Sequence, residues 1–130
     1  MAVQYPDGSI TAHEFDCEAT MRDELENVLA YDGTAEIRAV LERVHSMPAQ
    51  GVSSTFKFGA NYGYWRGVLQ GLRIPFREVT PQKWQRAVLV PGKLQGPERK
   101  RALKQVAQER FPQLKVTLKT ADALLMLNEA

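Results

Sequence analysis

An α/β layered domain is the fold class that the sequence predicts, and three observations predict it. Two short strand patterns open the chain, strand and helix patterns then alternate to its end, and 130 residues with 44% hydrophobic and 25% charged content provide for one core. Residues 1–130 are therefore read as a single domain. Nine Gly and seven Pro are too few for a collagen-like or low-complexity chain, and the apolar content is too high for disorder. No stretch approaches eighteen apolar residues, and no basic region followed by an apolar block opens the chain, so neither a membrane span nor a secretion signal is expected. The single cysteine, Cys17, has no internal disulfide partner and cannot build a zinc site alone. A reducing, cytoplasmic setting is the expectation.

Ala2 to Tyr5 and Ser9 to Phe15 read as two strands joined by a Pro6-Asp7-Gly8 turn, in which proline presets one dihedral and glycine tolerates positive φ. The second strand alternates Ile10, Ala12 and Glu14 with Thr11, His13 and Phe15, so neither of its faces is cleanly apolar. From Glu18 to Ala30, Met21, Leu25, Val28 and Leu29 recur at helical spacing opposite Arg22, Asp23, Glu24 and Glu26, and Gly33 is placed to cap that helix. Ile37 to Val44 suits a buried strand interrupted by Glu42, and Met47 to Gly51 reads as a loop.

Ser53 or Ser54 is expected to cap a long helix reaching Leu72. Within it Gly59, Gly63 and Gly67 fall on one stripe, each at a cost of roughly 0.8–1.0 kcal/mol relative to Ala. That stripe implies close backbone approach, either to a sheet or to a second copy of the same helix. Ile74 to Val79 follows as a short strand, and Thr80-Pro81 starts a helix with a hydroxyl cap and proline at the first helical position. After a turn-rich linker from Val90 to Pro97, a helix runs to Arg110, burying Leu103, Val106 and Ala107 and presenting Arg99, Lys100, Arg101 and Lys104. Thr120 to Leu127 is helical and apolar enough that it must be packed.

The net charge of +2 conceals a division along the chain. Residues 1–50 hold ten Asp/Glu against three Lys/Arg, and residues 51–130 hold five against fourteen. A basic face able to meet a polyanion follows if folding does not intermix the two parts; two solvated faces of opposite sign are the competing reading.

Two acidic positions stand out. Glu42 lies inside the apolar run Val40-Leu41-Glu42-Arg43-Val44, where a buried charge must be paired, hydrogen-bonded or metal-bound. An outward face on an edge strand, or a pairing with Arg43 or His45, is the preferred reading of Glu42 taken alone. Asp122 begins the apolar C-terminal helix, where an acid also complements the helix dipole. Together, the two carboxylates meeting across a strand and a helix would suit Mg²⁺ or Mn²⁺, which take oxygen ligands.

Five separated segments carry a resemblance: Val40 to Pro48, Gln50 to Ser54, Phe56 to Gly59, Val79 to Trp84 and Ala121 to Leu125. Their order and spacing, over roughly residues 1–127, are similar to those of the RuvC-like Holliday junction resolvases of bacteria and phages. The resemblance implies a ribonuclease-H-like mixed sheet flanked by helices, two divalent ions held by carboxylates, and a homodimer that cuts branched DNA. Glu42 matches the family's second acidic ligand, on its fourth strand, and Asp122 matches the last, at the start of the C-terminal helix. Lys83, Arg86, Lys93, Lys100, Arg101 and Lys104 fall in the part that faces the junction, where they would neutralise phosphates. A solvated helix face is the plain alternative for each of them. Phe56, Phe58, Tyr62, Tyr64 and Trp65 are expected in the core or a dimer contact, with one of them a possible wedge in the junction. His45, at the strand end, is expected to make a structural hydrogen bond.

Departures from the family are equally definite. Its first, central strand ends in an Asp-Pro-Gly turn whose aspartate bridges both metals, whereas Met1 to Tyr5 fits the second strand. Lys119 and Leu118 stand where the family has a further acidic or metal-binding residue. Two of the four ligands are thus present, and neither Asp7, in a turn, nor Asp16, at a strand end, is expected to substitute. Either Met1 is internal to a longer reading frame, or the chain is a relative that does not cut. The strand around Val40 should then have an open or rearranged neighbour. The readings to separate are an Mg²⁺-dependent structure-specific endonuclease, a non-catalytic DNA-binding or dimerisation module derived from one, and a plain structural domain. The Gly59-Gly63-Gly67 helix is the first candidate for the dimer interface.

Overall fold

The computed structural model describes residues 1–31, 36–45, 51–88 and 94–129. They form a mixed α/β chain: β1 (Ala2–Gln4), β2 (Ile10–Ala12), α1 (Glu18–Tyr31), β3 (Ala39–Glu42), α2 (Val52–Gly71), β4 (Phe76–Val79), α3 (Pro81–Arg86), α4 (Gly96–Arg110) and α5 (Ala121–Met126), closed by a 3₁₀ turn over Leu127–Glu129. The expected cap at Gly33, most of the loop over residues 47–51, the first part of the linker over residues 90–97 and Lys93 lie outside the described residues.

The opening hairpin forms as the turn chemistry predicts. Gly8 takes φ +83°, and the Asp7 carboxylate accepts from the Ser9 amide at 2.8 Å and the Ser9 hydroxyl at 2.6 Å. Its second strand is shorter than expected, ending at Ala12 rather than Phe15. The antiparallel register pairs Ala2 with Ala12, and one more bond follows, from the His13 amide to the Met1 carbonyl at 2.8 Å.

β3 is likewise four residues rather than eight. Its parallel partner β4 begins only after Pro75, which has no amide hydrogen, and stops where Thr80 turns the chain into α3. The register sets Glu42 opposite Val79, and the Arg43 amide donates to the Val79 carbonyl at 2.7 Å. Among the described residues β1 pairs with β2 alone and β3 with β4 alone, giving two sheets of two strands. Among the described residues no strand pairs with β3 on its other side. Ala2, Ile10 and Ala12 of the hairpin and Val40 of β3 nevertheless pack on one core, built from Val79, Trp84, Val88, Leu103, Ala107, Val116, Ala121, Leu124, Leu125 and Met126. A second cluster joins Leu25 of α1, Leu69 of α2 and Ile74.

Two features of α2 differ from expectation. It starts at Val52 with Gly51 as N-cap, so Ser53 and Ser54 sit inside the first turn and cap nothing. Its glycine stripe touches no other element, since a Cβ built on Gly59, Gly63 or Gly67 would meet nothing within 4 Å. Phe56 and Phe58 are exposed rather than core. On α4, Leu103 and Ala107 are buried and Val106 half-buried, while Arg99 turns inward and its Nε donates to the Gln85 side chain at 2.7 Å. No helix among the described residues is long and apolar enough to cross a membrane.

Leu124, fully enclosed at 0% exposure, is the sharpest test of the main core. Leu124→Ala should lower the unfolding free energy in urea by about 2–5 kcal/mol. Leu118→Ala, at a side chain 52% exposed, should stay within about 0.5 kcal/mol of the parent.

Candidate functional site

Glu42 ends β3, and its side chain turns inward. The indole Nε1 of Trp84 donates to its Oε1 at 2.9 Å. That geometry follows from local rules: Thr80 caps α3 by accepting from the Lys83 amide at 3.3 Å, Pro81 occupies the first turn, and Trp84 then lands one turn on, over the end of the neighbouring strand. Trp84 is 1% exposed, so its N–H needs an acceptor inside the protein. The outward reading of Glu42, and its pairing with Arg43 or His45, are thereby corrected. The carboxylate is half-buried and bound to an indole, while Arg43 and His45 are exposed.

Asp122 sits in the first turn of α5, which is fixed by the burial of Ala121, Leu124, Leu125 and Met126. Burial raises its carboxyl above the ordinary value, and the ammonium of Lys100 on α4 works in the opposite direction. The Glu42 carboxyl is raised chiefly by burial; the Trp84 hydrogen bond opposes that rise and the charge on Asp122 adds to it. A strand end and a helix start have thus set two carboxylates within each other's field, in a setting that favours a proton or a cation.

The other sequence-predicted residues divide. The charge of Lys100 acts on Asp122, and Arg101 and Lys104 lie further along α4, the first exposed and the second half-buried. Lys83 and Arg86 are exposed on α3, which is tied to α4 through Gln85 and Arg99. Lys119 reaches away to Glu14, with 3.0 Å between Nζ and Oε2. Of the ion pairs among the described residues, that one alone joins the acidic first part of the chain to the basic second part.

Asp7 is held in its turn by Ser9 and Asp16 is exposed, so neither joins the pair. Among the described residues no group of three or more His, Cys, Asp or Glu comes together in a way that could hold a metal ion. Two partners went unassigned in the sequence, the indole of Trp84 and the ammonium of Lys100. A signal for the first was present: a tryptophan one turn after a Thr-Pro cap needs an acceptor when buried, and Glu42 is the carboxylate set in an apolar strand. No protein-family model matches the chain, and no curated protein matches it.

Both raised carboxyls give a definite pH dependence. Their ordinary values are 4.5 for Glu42 and 3.8 for Asp122, and folding moves each upward. The folded state therefore holds more protons across that window, and stability falls as pH rises through the folded values. In EDTA, Glu42→Gln and Asp122→Asn should each melt at a higher temperature than the parent at neutral pH. The advantage should shrink as pH is lowered into the carboxylate range, and an advantage of equal size at all pH values would contradict the assignment.

Proposed function

We propose that this chain is a RuvC-like domain of the ribonuclease-H-like type, acting on branched DNA as a homodimer, with Glu42 and Asp122 as its ligands for Mg²⁺ or Mn²⁺. The observation that carries the reading is the hydrogen bond from the Trp84 indole to Glu42, which joins two segments of the resemblance, with Asp122 of a third near enough for its charge to act on Glu42. Support also comes from the sheets. The antiparallel pair β1–β2 and the parallel pair β3–β4 pack on a single core, with an open position beside β3 where the family's central first strand would belong.

The residues fit one hard cation. Carboxylate oxygens are the donors that Mg²⁺ and Mn²⁺ take, and Mg²⁺ is often held by one or two carboxylates with substrate phosphate and water completing the shell. Such an ion supplies activation of water and charge stabilisation at a phosphodiester. The chain's own groups do the rest. Trp84 fixes Glu42 through Oε1, Lys100 favours the ionised form of Asp122, and Arg101, Lys104, Lys83 and Arg86 offer cations to the phosphates of a DNA arm.

One observation favours a second reading, a non-catalytic DNA-binding or dimerisation module. No third acidic or histidine ligand joins the pair among the described residues, and Lys119, at the position of a family ligand, is engaged with Glu14.

A synthetic four-way junction separates the readings. On the first, Mg²⁺ supports nicking that Glu42→Gln abolishes; on the second, binding persists without nicking. In either case binding should weaken with salt. Combined Ala substitutions at Lys100, Arg101 and Lys104 should reduce the slope of log K against log salt by about 0.9 for each phosphate contact removed. Absence of junction binding would exclude both readings.

A further inference from the structure

α3 has six residues, too few to hold its place by its own hydrogen bonds, so what it presents is set by what it is tied to. One tie is Trp84, enclosed in the main core with its indole on Glu42. A second is Gln85, whose side-chain oxygen accepts from the Nε of Arg99 on α4 at 2.7 Å. Successive residues stand about 100° apart around a helix axis, so a bond at Gln85 resists the rotation of α3 that would carry the indole off the carboxylate. Arg99 is an unusual residue to spend on a purely structural tie. It is half-buried while Lys100 and Arg101 beside it are exposed, and its guanidinium donates to a neutral amide and, at 3.5 Å, to the Leu94 carbonyl. Among the described residues no carboxylate forms an ion pair with it. Drawing a charge out of water costs free energy that neutral partners offset only in part. What the arginine supplies in exchange is a rigid, planar donor and a charge-assisted bond of fixed direction.

We propose that Arg99 and Gln85 are positioning residues of the carboxylate site: their bond locks α3 against α4 and so keeps the Trp84 indole on Glu42. The line runs from Glu42 to Trp84 by a hydrogen bond, to Gln85 along the chain, and to Arg99 by a second hydrogen bond. On α4 the next residue is Lys100, whose charge acts on Asp122. One turn of α4 therefore bears on both carboxylates, on Glu42 through α3 and on Asp122 through its own lysine. Arg99 and Gln85 have their polar side-chain bonds with each other and with a carbonyl, so substituting them removes no ligand and changes only where the ligands are held. The positioning role deepens the reading of Glu42 and Asp122 as a metal site, and its Mn²⁺ test rests on that reading.

Nitrogen-proton NMR of the full chain, free of metal, tests it. The chain has two tryptophans and hence two indole N–H resonances, and Glu42→Gln identifies that of Trp84. Arg99→Ala and Gln85→Ala should each move the Trp84 resonance towards its position in Glu42→Gln and hasten its exchange with solvent, leaving that of Trp65 in place. The double variant should do no more than either alone, because the pair acts through one bond. Gln85→Glu keeps an acceptor for Arg99 and should hold the parent position. Leu29→Ala, which loosens the second cluster, controls for lost stability: it should melt lower and leave the Trp84 resonance where it is. Calorimetric titration with Mn²⁺ gives a second readout, in which Arg99→Ala should weaken the parent's binding by about 10- to 100-fold. A Trp84 resonance that Arg99→Ala leaves unmoved, an equal movement in Leu29→Ala, or an unchanged Mn²⁺ affinity would overturn the positioning role. A parent chain that binds no Mn²⁺ would strike the metal reading instead, with the indole resonance still deciding whether Arg99 positions Glu42.

Discussion

The hydrogen bond from the Trp84 indole to Glu42 joins the two things this domain must reconcile, a dry core and a charged strand end. Trp84 is among the largest side chains wholly inside the main cluster, and its Nε1–H has no water to meet. Glu42, for its part, loses hydration at the end of an apolar strand. Each group supplies what the other lacks, and the bond strengthens when the carboxylate is ionised. An apolar residue at 42 would leave the indole unsatisfied, and a smaller aromatic at 84 would leave the carboxylate half-buried and alone. The position of Asp122 depends on the same core, because Leu124 and Leu125 orient the helix that presents it.

Sheets of two strands are marginal in isolation, and both sheets here have unpaired edges among the described residues. What holds them is the helical layer. Val79 and Val40 bring β4 and β3 to Trp84, while Ala2, Ile10 and Ala12 bring the hairpin to the cluster that α4 and α5 build. The candidate site thus lies where strand ends meet the helical core, and its rigidity derives more from helix packing than from a sheet ladder.

Elements governed by local chemistry were legible in the sequence: the Pro-Asp-Gly turn, the Thr80-Pro81 cap, and the amphipathic α1 and α4. Those that depend on a distant partner were not. The start of β3 is set by Pro75, which has no amide hydrogen to extend the ladder, and no pattern within β3 encodes that. Arg99 reads as one more cation on a basic helix until Gln85 is seen beside it. The glycine stripe of α2 reads as a demand for close approach, yet among the described residues a Cβ at Gly59, Gly63 or Gly67 would meet nothing within 4 Å. For the site, the helix-start position of Asp122 was visible, whereas the inward turn of Glu42 was not, because strand alternation alone favours an outward face. Their mutual field, and the roles of Trp84 and Lys100, required the fold.

The electrostatics of the pair bear on how a polyanion would approach it. Two carboxylates repel phosphate, and a basic face that covered them would cancel that repulsion without leaving room for a cation. Lys100 is near enough to Asp122 to favour its ionisation, and Arg101 and Lys104 follow it along α4. Lys119, the cation closest in sequence to Asp122, is drawn off by Glu14. On the proposed reading, a DNA arm would be held along α4 by its phosphates while the carboxylate pair keeps its net negative charge. That residual charge is what attracts a hard divalent ion, and the ion would in turn make the nearest phosphate tolerable beside two carboxylates. Fuller neutralisation by a second lysine would tighten DNA binding and remove the incentive for metal, so the diversion of Lys119 matters as much to the reading as the presence of Lys100.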